Sequence, residues 1–424
     1  MKSKKNNTIY SSAQLCQKST FVVSSNIIQV LRSSLIFAVM IVAALSATAE
    51  SVISFPRDRA SSVAVVIRDL STGKDIVSQN PHKAMLPAST MKCVTTAAAL
   101  LAGLDTAYFE TEVYIEGEIV NGVLKGNLVV NGSGDPTIES AQFPANSGFV
   151  GKIAKAVQGA GIKQIEGEIQ VDSSNFPDNG PCDRWELSDL KYEYGAGLYA
   201  LNYRDNRVGS KAMEFPSEVF GEALENKLLA EGISVSWQSL DSIAEQSKVL
   251  LVHHSPYGAK ILENLMKRSD NLFAEGMLRM LAPGQSLSSA IARERSLLTS
   301  YGLNFDIADI YDGSGLSRNN RITARFMADL LTLMASQKDK AKTYLSFFPL
   351  VGKEGTVKPF LKGSALQEKL ALKTGSLNGV HCYAGYKIDS AGTPTHVVVI
   401  LVNDFFCKRG EVRESIASFL KRQF

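Results

Sequence analysis

The chain has 424 residues and a formal net charge of +3, so it lacks the strong basic excess that favours nucleic acid as a partner. This length is sufficient for two domains, or for one large domain with an insertion. It contains only five cysteines, too few for a disulfide-rich scaffold.

The first 49 residues have the pattern of a secretory signal. Five basic side chains and no acidic ones precede residue 50, an apolar run extends from Leu35 to Leu45, and Ala47-Thr48-Ala49 follows. The run is too short to span a bilayer, and the small residues predict cleavage after Ala49. A misplaced start codon or an uncleaved anchor are the alternatives, because the segment before the apolar run is long. We expect an exported protein, periplasmic or secreted, that associates with a membrane at most peripherally.

The predicted elements change character twice along the chain. A strand is expected at 62–69 and a helix at 88–103, followed by short β segments at 112–118, 122–131 and 164–172. Helical patterns return at 257–281, 287–301 and 323–336, followed by strands at 381–388 and 396–402 and a last helix at 409–422. This order predicts an α/β core, residues 50–107 and 255–424, interrupted by a mainly β insertion at 108–254.

Four cysteines follow the predicted cleavage site. Cys382 and Cys407 flank a predicted hairpin and could pair in an oxidising compartment, whereas Cys93 is expected inside a helix. Buried thiols are the alternative for all four.

Ser89 and Lys92 form the first motif with chemical meaning. Three residues apart at the start of the predicted helix 88–103, they share one helix face, so the lysine amine can take the serine proton. Ser-x-x-Lys alone is weak, because the chain has three further matches, at Ser71, Ser188 and Ser418. Ser71 lies in a predicted hairpin turn, where no helix face is shared.

Two later motifs complete an ordered set. Ser269-Asp270-Asn271 lies within a helical pattern, and Lys373-Thr374-Gly375 opens the stretch leading into the C-terminal hairpin. Glycine lets a strand edge lie close to a ligand, while Lys373 and Thr374 supply a cation and a hydroxyl for a carboxylate. A plain edge-strand turn is the structural alternative for the last motif.

The order Ser-x-x-Lys, Ser-x-Asn, Lys-Thr-Gly is the signature of penicillin-recognising serine acyltransferases. From about residue 55 to 420 the chain resembles the D-Ala-D-Ala carboxypeptidase/endopeptidase family of penicillin-binding protein 4 type. The resemblance is carried by longer strings around the motifs, at 266–275, 312–318, 373–380, 132–136, 194–196 and 201–202. It implies a transpeptidase-like core, an antiparallel sheet flanked by helices, interrupted by the β insertion, which looks shorter than is usual in the family.

The resemblance also implies a role for each motif residue. Ser89 would attack the carbonyl between two D-alanines of a peptidoglycan stem peptide, with Lys92 as its base. A partly desolvated site and a nearby cation, Lys373, would lower the pKa of Lys92. Ser269 would pass a proton to the leaving amine, and Asn271 would hold Lys92 and a substrate amide. The remaining substrate-binding groups would be Lys373 and Thr374 for the terminal carboxylate, and the backbone N–H groups of Ser89 and Ser376 for the oxyanion.

Arg318 and Asp135 are further substrate-binding candidates from the resemblance, near the diaminopimelate-like side chain of the substrate. A solvated surface arginine and an aspartate that only shapes a turn are the alternatives. Trp185 and Tyr194 are interpreted as core packing. We expect no cofactor and no metal, since His253, His254 and His381 lack ligand spacing and nothing resembles a zinc-peptidase motif.

Two other functions fit parts of the pattern. A β-lactamase or esterase could use the same three motifs, and a non-catalytic protein could keep the pocket as a β-lactam or peptide sensor. The large insertion and the 312–318 string favour the carboxypeptidase, which β-lactams would inhibit covalently. Oligomeric state and the balance of carboxypeptidase and endopeptidase activity are left open.

Overall fold

A computed structural model describes residue 53 and residues 62–237 and 247–424. The predicted signal segment and its cleavage site lie outside the described residues. The strands are β1 (Ser62–Asp69), β2 (Asp75–Gln79), β3 (Glu110–Val120), β4 (Val123–Asn131), β5 (Gln164–Ile165), β6 (Ile169–Asp172), β7 (Arg207–Val208), β8 (Lys211–Ala212), β9 (Ser234–Val235), β10 (Ser247–His254), β11 (Leu370–Leu377), β12 (Val380–Ile388) and β13 (Pro394–Asn403). The α-helices are α1 (Lys92–Leu101), α2 (Phe149–Gly159), α3 (Pro216–Ala230), α4 (Gly258–Arg268), α5 (Asn271–Arg279), α6 (Leu287–Ser300), α7 (Ala324–Ser336), α8 (Ala341–Ser346) and α9 (Arg409–Gln423).

The first sheet joins the two ends of the described chain. Its five strands run in the order β11-β12-β13-β1-β2, and every neighbouring pair is antiparallel. The centre of β13 is fully buried and apolar, as expected for a strand covered on both faces. This sheet, with helices packed on it, confirms the predicted α/β fold class with an antiparallel sheet flanked by helices.

Helix α1 lies in the middle of the main hydrophobic core. Nine of its ten residues are buried, and alanines at 97, 98 and 99 let neighbouring helices approach closely. Helix α7 packs against the sheet, where Arg68 of β1 pairs with Asp329 of the helix at 2.8 Å. The residue that begins α1, Lys92, is therefore held by surroundings that exclude water.

A second sheet is built entirely from residues 110–254. The long strands β10, β3 and β4 are antiparallel, while β5 and β6 add to β4 in parallel. Helices α2 and α3 share its core, where the rings of Phe149 and Phe220 stack with centroids 5.9 Å apart. The sheet lies within the segment predicted as an insertion; the domain limits themselves stay a prediction.

Most predicted elements are present with shifted ends, and two of them, a helix and a strand, are each interrupted. The helix predicted over 257–281 is broken between α4 and α5, because Ser269 adopts a left-handed conformation (φ 64°) and the Asp270 carboxylate caps α5 by accepting from Phe273 N at 3.2 Å. The strand predicted over 164–172 is split into β5 and β6. Gly167 lies in the gap, where a Cβ would overlap the Gly126 carbonyl.

In the described part of the chain, no helix combines the length and the apolar character needed to cross a membrane. Cys93 and Cys382 are buried. The Cys382 thiol lies 3.5 Å from the Leu86 carbonyl and is not joined to Cys407. The disulfide is therefore absent, and the buried-thiol alternative holds for Cys93 and Cys382 but not for Cys182 and Cys407, which are only partly buried.

Candidate active site

Ser89 lies on a tight turn immediately before α1. Residues Ala88–Met91 form a 3-10 helix instead of the predicted first α-helical turn, and Ala88 has a positive φ of 47°. The turn leaves Ser89 partly exposed while its neighbours Ala88 and Thr90 are buried. A partly exposed hydroxyl on an otherwise buried turn is accessible to a ligand.

Lys92 is fully buried and its amine makes three polar contacts. Nζ lies 3.1 Å from Ser89 Oγ, 2.6 Å from Asn271 Oδ1 and 2.7 Å from the Ser314 carbonyl oxygen. The last two groups can only accept hydrogen bonds. When the amine is neutral, they take its two N–H groups, and its lone pair is left facing the Ser89 hydroxyl.

The pKa of Lys92 is lowered from 10.5 to about 8, chiefly because burial disfavours the charged form. Asp312, Glu275 and Asp270 act in the opposite sense and limit the fall. Of the two influences expected to lower this pKa, a partly desolvated site and the charge of Lys373, removal from water is therefore the larger. For Lys373 itself, burial and then the charge of Lys92 hold the pKa well below its usual range.

Ser269 and Lys373 form the opposite side of the site. Lys373 Nζ donates to Ser269 Oγ and to the carbonyl of Thr374, both at 2.7 Å. The left-handed backbone at Ser269 ends α4 and turns the chain so that Asn271 begins α5. This break lets one short segment supply Ser269 to Lys373 and Asn271 to Lys92.

A buried loop positions the Ser314 carbonyl. The Glu275 carboxylate accepts the backbone N–H groups of Gly313 and Ser314 at 3.1 and 2.8 Å, and Asp312 accepts those of Gly315 and Ser317 at 2.8 and 2.6 Å. Burial raises the pKa of Glu275 to about 7. Two carboxylates thus tie down the loop whose carbonyl binds the Lys92 amine.

Two glycines allow neighbouring segments to pack directly against the backbone of the Ser89 turn. A Cβ on Gly375 of β11 would lie 2.5 Å from the Pro87 carbonyl oxygen and 3.1 Å from Thr90 N. Gly315 has φ +81°, and a Cβ there would overlap the Ala88 carbonyl. Glycine is required at both positions because backbone meets backbone.

A family model matches nearly the whole chain, over residues 45–214 and 209–423, and it describes the D-Ala-D-Ala carboxypeptidase 3 (S13) family. The chain belongs to this family. The ordered motifs Ser89/Lys92, Ser269/Asn271 and Lys373/Thr374 are therefore found in a family of peptidases, as the resemblance predicted.

Curated relatives and solved structures agree with the assignment. The D-alanyl-D-alanine carboxypeptidase DacB of Haemophilus influenzae is 26% identical over 409 residues, covering 78% of this chain and 83% of its own. The carboxypeptidase DacB of Mycolicibacterium smegmatis is 28% identical, with 77% and 73% covered.

Two solved structures establish the fold. Penicillin-binding protein 4 of H. influenzae superimposes with a TM-score of 0.76 at 23% identity, covering 86% of this chain and 97% of its own. A penicillin G-acylated predatory endopeptidase of Bdellovibrio bacteriovorus gives a TM-score of 0.53 at 17% identity, with 85% and 92% covered. The predicted transpeptidase-like architecture is confirmed.

The structure brings together most of the predicted site residues, with Arg318 at the margin and Asp135 apart. The Arg318 guanidinium is 3.4 Å from the Asn378 carbonyl, in the turn after β11. Asp135 is fully buried, where its carboxylate accepts from the backbone and hydroxyl of Thr137, both at 2.7 Å. Asp135 therefore has the contacts of the turn-shaping alternative.

Several contributors were not predicted from the sequence. The backbone carbonyl of Tyr194 accepts from Asn271 Nδ2 at 2.7 Å and fixes the orientation of that amide. Tyr194 is 44% exposed, so its interpretation as core packing is wrong, whereas Trp185 is buried and donates to Asp312 at 2.8 Å. The Thr374 hydroxyl meets that of Thr356 at 2.8 Å. The only signal for these contributors was membership of a family-like string: 312–318 for Asp312 and Ser314, 266–275 for Glu275 and 194–196 for Tyr194.

The close approach at Gly315 gives a direct test of how tightly the Ser89 turn is packed. Gly315→Ala should lower the free energy of unfolding by about 1–3 kcal/mol, because the new Cβ meets backbone and the φ is unfavourable for alanine. Urea denaturation measures the change. The matched control is Gly410→Ala in α9, where a Cβ has no neighbour within 4 Å; equal effects of the two substitutions would contradict the packing argument.

Proposed function

We propose that this family member hydrolyses the D-Ala-D-Ala bond of peptidoglycan stem peptides, and D-residue cross-links of the same chemistry, through an acyl-enzyme on Ser89. Serine-type D-Ala-D-Ala carboxypeptidase activity is the function of the family to which it belongs. The observation that carries the proposal is the Lys92 amine, buried, bound to two acceptors and 3.1 Å from the Ser89 hydroxyl.

Acylation follows from this arrangement. The Ser89 oxygen attacks the carbonyl carbon of the penultimate D-alanine while its proton moves to the neutral Lys92 amine. The backbone N–H groups of Ser89 and Ser376 are proposed to stabilise the oxyanion, a contribution of about 3 kcal/mol for each donor. The tetrahedral intermediate then breaks its C–N bond.

The leaving amine needs a proton, and we propose that Ser269 delivers it. Its hydroxyl is held by Lys373 at 2.7 Å, so it can give its own proton to the amine and be reprotonated from the lysine pair. The proton that Lys92 took from Ser89 replaces the one given to Ser269, so Lys92 is neutral again. A water molecule then attacks the ester, its proton passes to Lys92, and Lys92 returns a proton to Ser89 Oγ as the ester C–O bond breaks. A β-lactam would acylate the same serine and leave slowly; the endopeptidase neighbour of B. bacteriovorus is acylated by penicillin G in its solved structure.

Substrate binding is proposed along the outer strand of the first sheet. The Lys373 amine and the hydroxyls of Thr374 and Ser376 would receive the terminal carboxylate, whose negative charge would in turn stabilise the ammonium form of Lys373 against burial. Arg318, beside the end of β11, would approach the substrate side chain. For Asp135 we propose only a structural role, because the carboxyl group is fully buried, with Oδ1 accepting from Thr137 and Oδ2 lying 3.9 Å from His253 Nε2.

We also propose that the segment 108–254 is an insertion in the catalytic domain of residues 50–107 and 255–424, and that residues 1–49 direct export to the periplasm or medium. The strands of the second sheet all lie inside the proposed insertion. N-terminal sequencing of the protein recovered from the cell envelope should begin at Glu50. An N-terminus at residue 1 on the exported protein would favour the uncleaved-anchor alternative.

Incubation with benzylpenicillin tests the nucleophile. Residues 50–424 should gain a lasting adduct by mass spectrometry, and Ser89→Ala should gain none. Ser418→Ala is the matched control, because Ser418 also has a lysine three residues later on a helix. No adduct with intact drug would contradict the proposal, and no adduct with hydrolysed drug would indicate a β-lactamase. Peptidoglycan fragments then measure carboxypeptidase against endopeptidase activity.

The pH dependence of acylation tests the base. The reactive form has a neutral Lys92, so the second-order rate constant for benzylpenicillin should rise with pH and level off above the lysine pKa, with a midpoint at about 8. Stopped-flow or quenched mass spectrometry over the range from about pH 6 to 10 measures it. A rate independent of pH in this range would exclude Lys92 as the proton acceptor.

A further inference from the structure

Ser376 is the exposed end of a chain of hydrogen-bonding side chains that reaches into the sheet. It pairs across β11 and β12 with His381, whose Nδ1 lies 3.0 Å from Ser376 Oγ. The other ring nitrogen, Nε2, lies 3.1 Å from Tyr383 Oη. His381 and Tyr383 are both buried, and the Phe360 ring stacks on Tyr383 at 4.5 Å. The motif pattern assigned neither residue a role.

The imidazole is neutral at ordinary pH. Burial, with Arg409 and Arg413 of α9, lowers the pKa of His381 to about 4. A neutral imidazole has one N–H donor and one acceptor nitrogen. The hydrogen bonds along Ser376, His381 and Tyr383 can therefore run in only two directions. In one direction Ser376 donates to the ring, and in the other it accepts from the ring.

The buried tyrosine decides the direction. In one arrangement His381 donates from Nε2 to Tyr383, and the phenolic proton then needs another acceptor, which no hydrogen bond among the described residues supplies. In the other, Tyr383 donates to Nε2, and Nδ1–H donates to Ser376 Oγ. The second arrangement leaves no buried proton unpaired. It also leaves the Ser376 hydroxyl proton directed away from the ring.

We propose that Tyr383 and His381 are positioning residues that hold the Ser376 hydroxyl as a hydrogen-bond donor for the terminal carboxylate of the substrate or the carboxylate of a β-lactam. The proposal rests on the proposed function. A carboxylate can only accept hydrogen bonds, so it needs a hydroxyl whose proton is free. The Ser376 proton is free when its oxygen accepts from His381 Nδ1–H. With the other tautomer, the Ser376 hydroxyl would donate its hydrogen bond to His381 Nδ1, and only its oxygen lone pairs would face the carboxylate.

Tyr383→Phe tests the direction because it removes only the terminal donor. Acylation rate constants are compared for benzylpenicillin, which carries the carboxylate, and for its methyl ester, which does not. We expect the acid rate constant to fall about 5- to 10-fold while the ester rate constant changes less than about 2-fold. General damage to the site would lower both rates together.

Tyr386→Phe is the matched control. Tyr386 is a buried tyrosine of the same strand whose hydroxyl donates to the Leu331 carbonyl at 2.7 Å, away from Ser376. It should leave the acid-to-ester ratio unchanged. A ratio equally unchanged in Tyr383→Phe would overturn the proposal.

Nitrogen-15 NMR of the wild-type protein gives an independent readout. The chemical shifts of His381 should report a proton on Nδ1 and none on Nε2, and the reverse tautomer would overturn the proposal whatever the rates. Failure of the wild type to be acylated by either compound would instead overturn the proposed function, and the carboxylate role with it. Normal acylation with the Nε2–H tautomer would overturn this inference alone.

Discussion

The site depends on keeping one lysine amine out of water without pairing it directly with a carboxylate. A buried ammonium is costly, and the usual compensation is an ion pair. Lys92 is bound instead by the Asn271 amide oxygen and the Ser314 carbonyl, and the acids Asp312 and Glu275 are engaged by backbone N–H groups one step away. A carboxylate in contact with the amine would stabilise its charged form, so that little neutral amine would be available to accept a proton. Placing the acids behind the loop keeps the pKa of Lys92 lowered while their negative charge limits the fall.

This constraint explains why distant segments meet at the site. The Asn271 amide can serve Lys92 only if its oxygen faces the amine, and its nitrogen is fixed by the Tyr194 carbonyl from the middle of the chain. The left-handed turn at Ser269 is needed for the same reason, because a continuous helix would not present Ser269 to Lys373 and Asn271 to Lys92 together. The segment that contains the second sheet therefore also orients a group that contacts the Lys92 amine.

The sequence predicted the parts of this structure that depend on side-chain type or on apolar periodicity. Strand β1 follows from a short continuous apolar run, and helices α6 and α7 follow from helical spacing. The motif side chains also meet: Ser89 and Asn271 contact Lys92, and Ser269 contacts Lys373. What it could not predict depends on backbone. The carbonyls of Ser314 and Tyr194 act through atoms that every residue has, so no residue type indicates them. The break at Ser269 was missed because apolar periodicity continues through α4 and α5, and a single left-handed residue does not interrupt it.

Strand β11 shows how one short segment can combine these requirements. Side chains alternate between the two faces of a strand, so Lys373 and Gly375 lie on one face and Thr374 and Ser376 on the other. The first face packs against the Ser89 turn, which excludes a Cβ at Gly375 and brings Lys373 to Ser269. The second face pairs with His381 and Tyr383 of β12. β11 is also the outer strand of its sheet, so its edge is open to a further extended chain. In the binding mode proposed above, the Lys373 amine, the hydroxyls and the backbone N–H groups would all reach one carboxyl-terminal residue of a peptide on this edge.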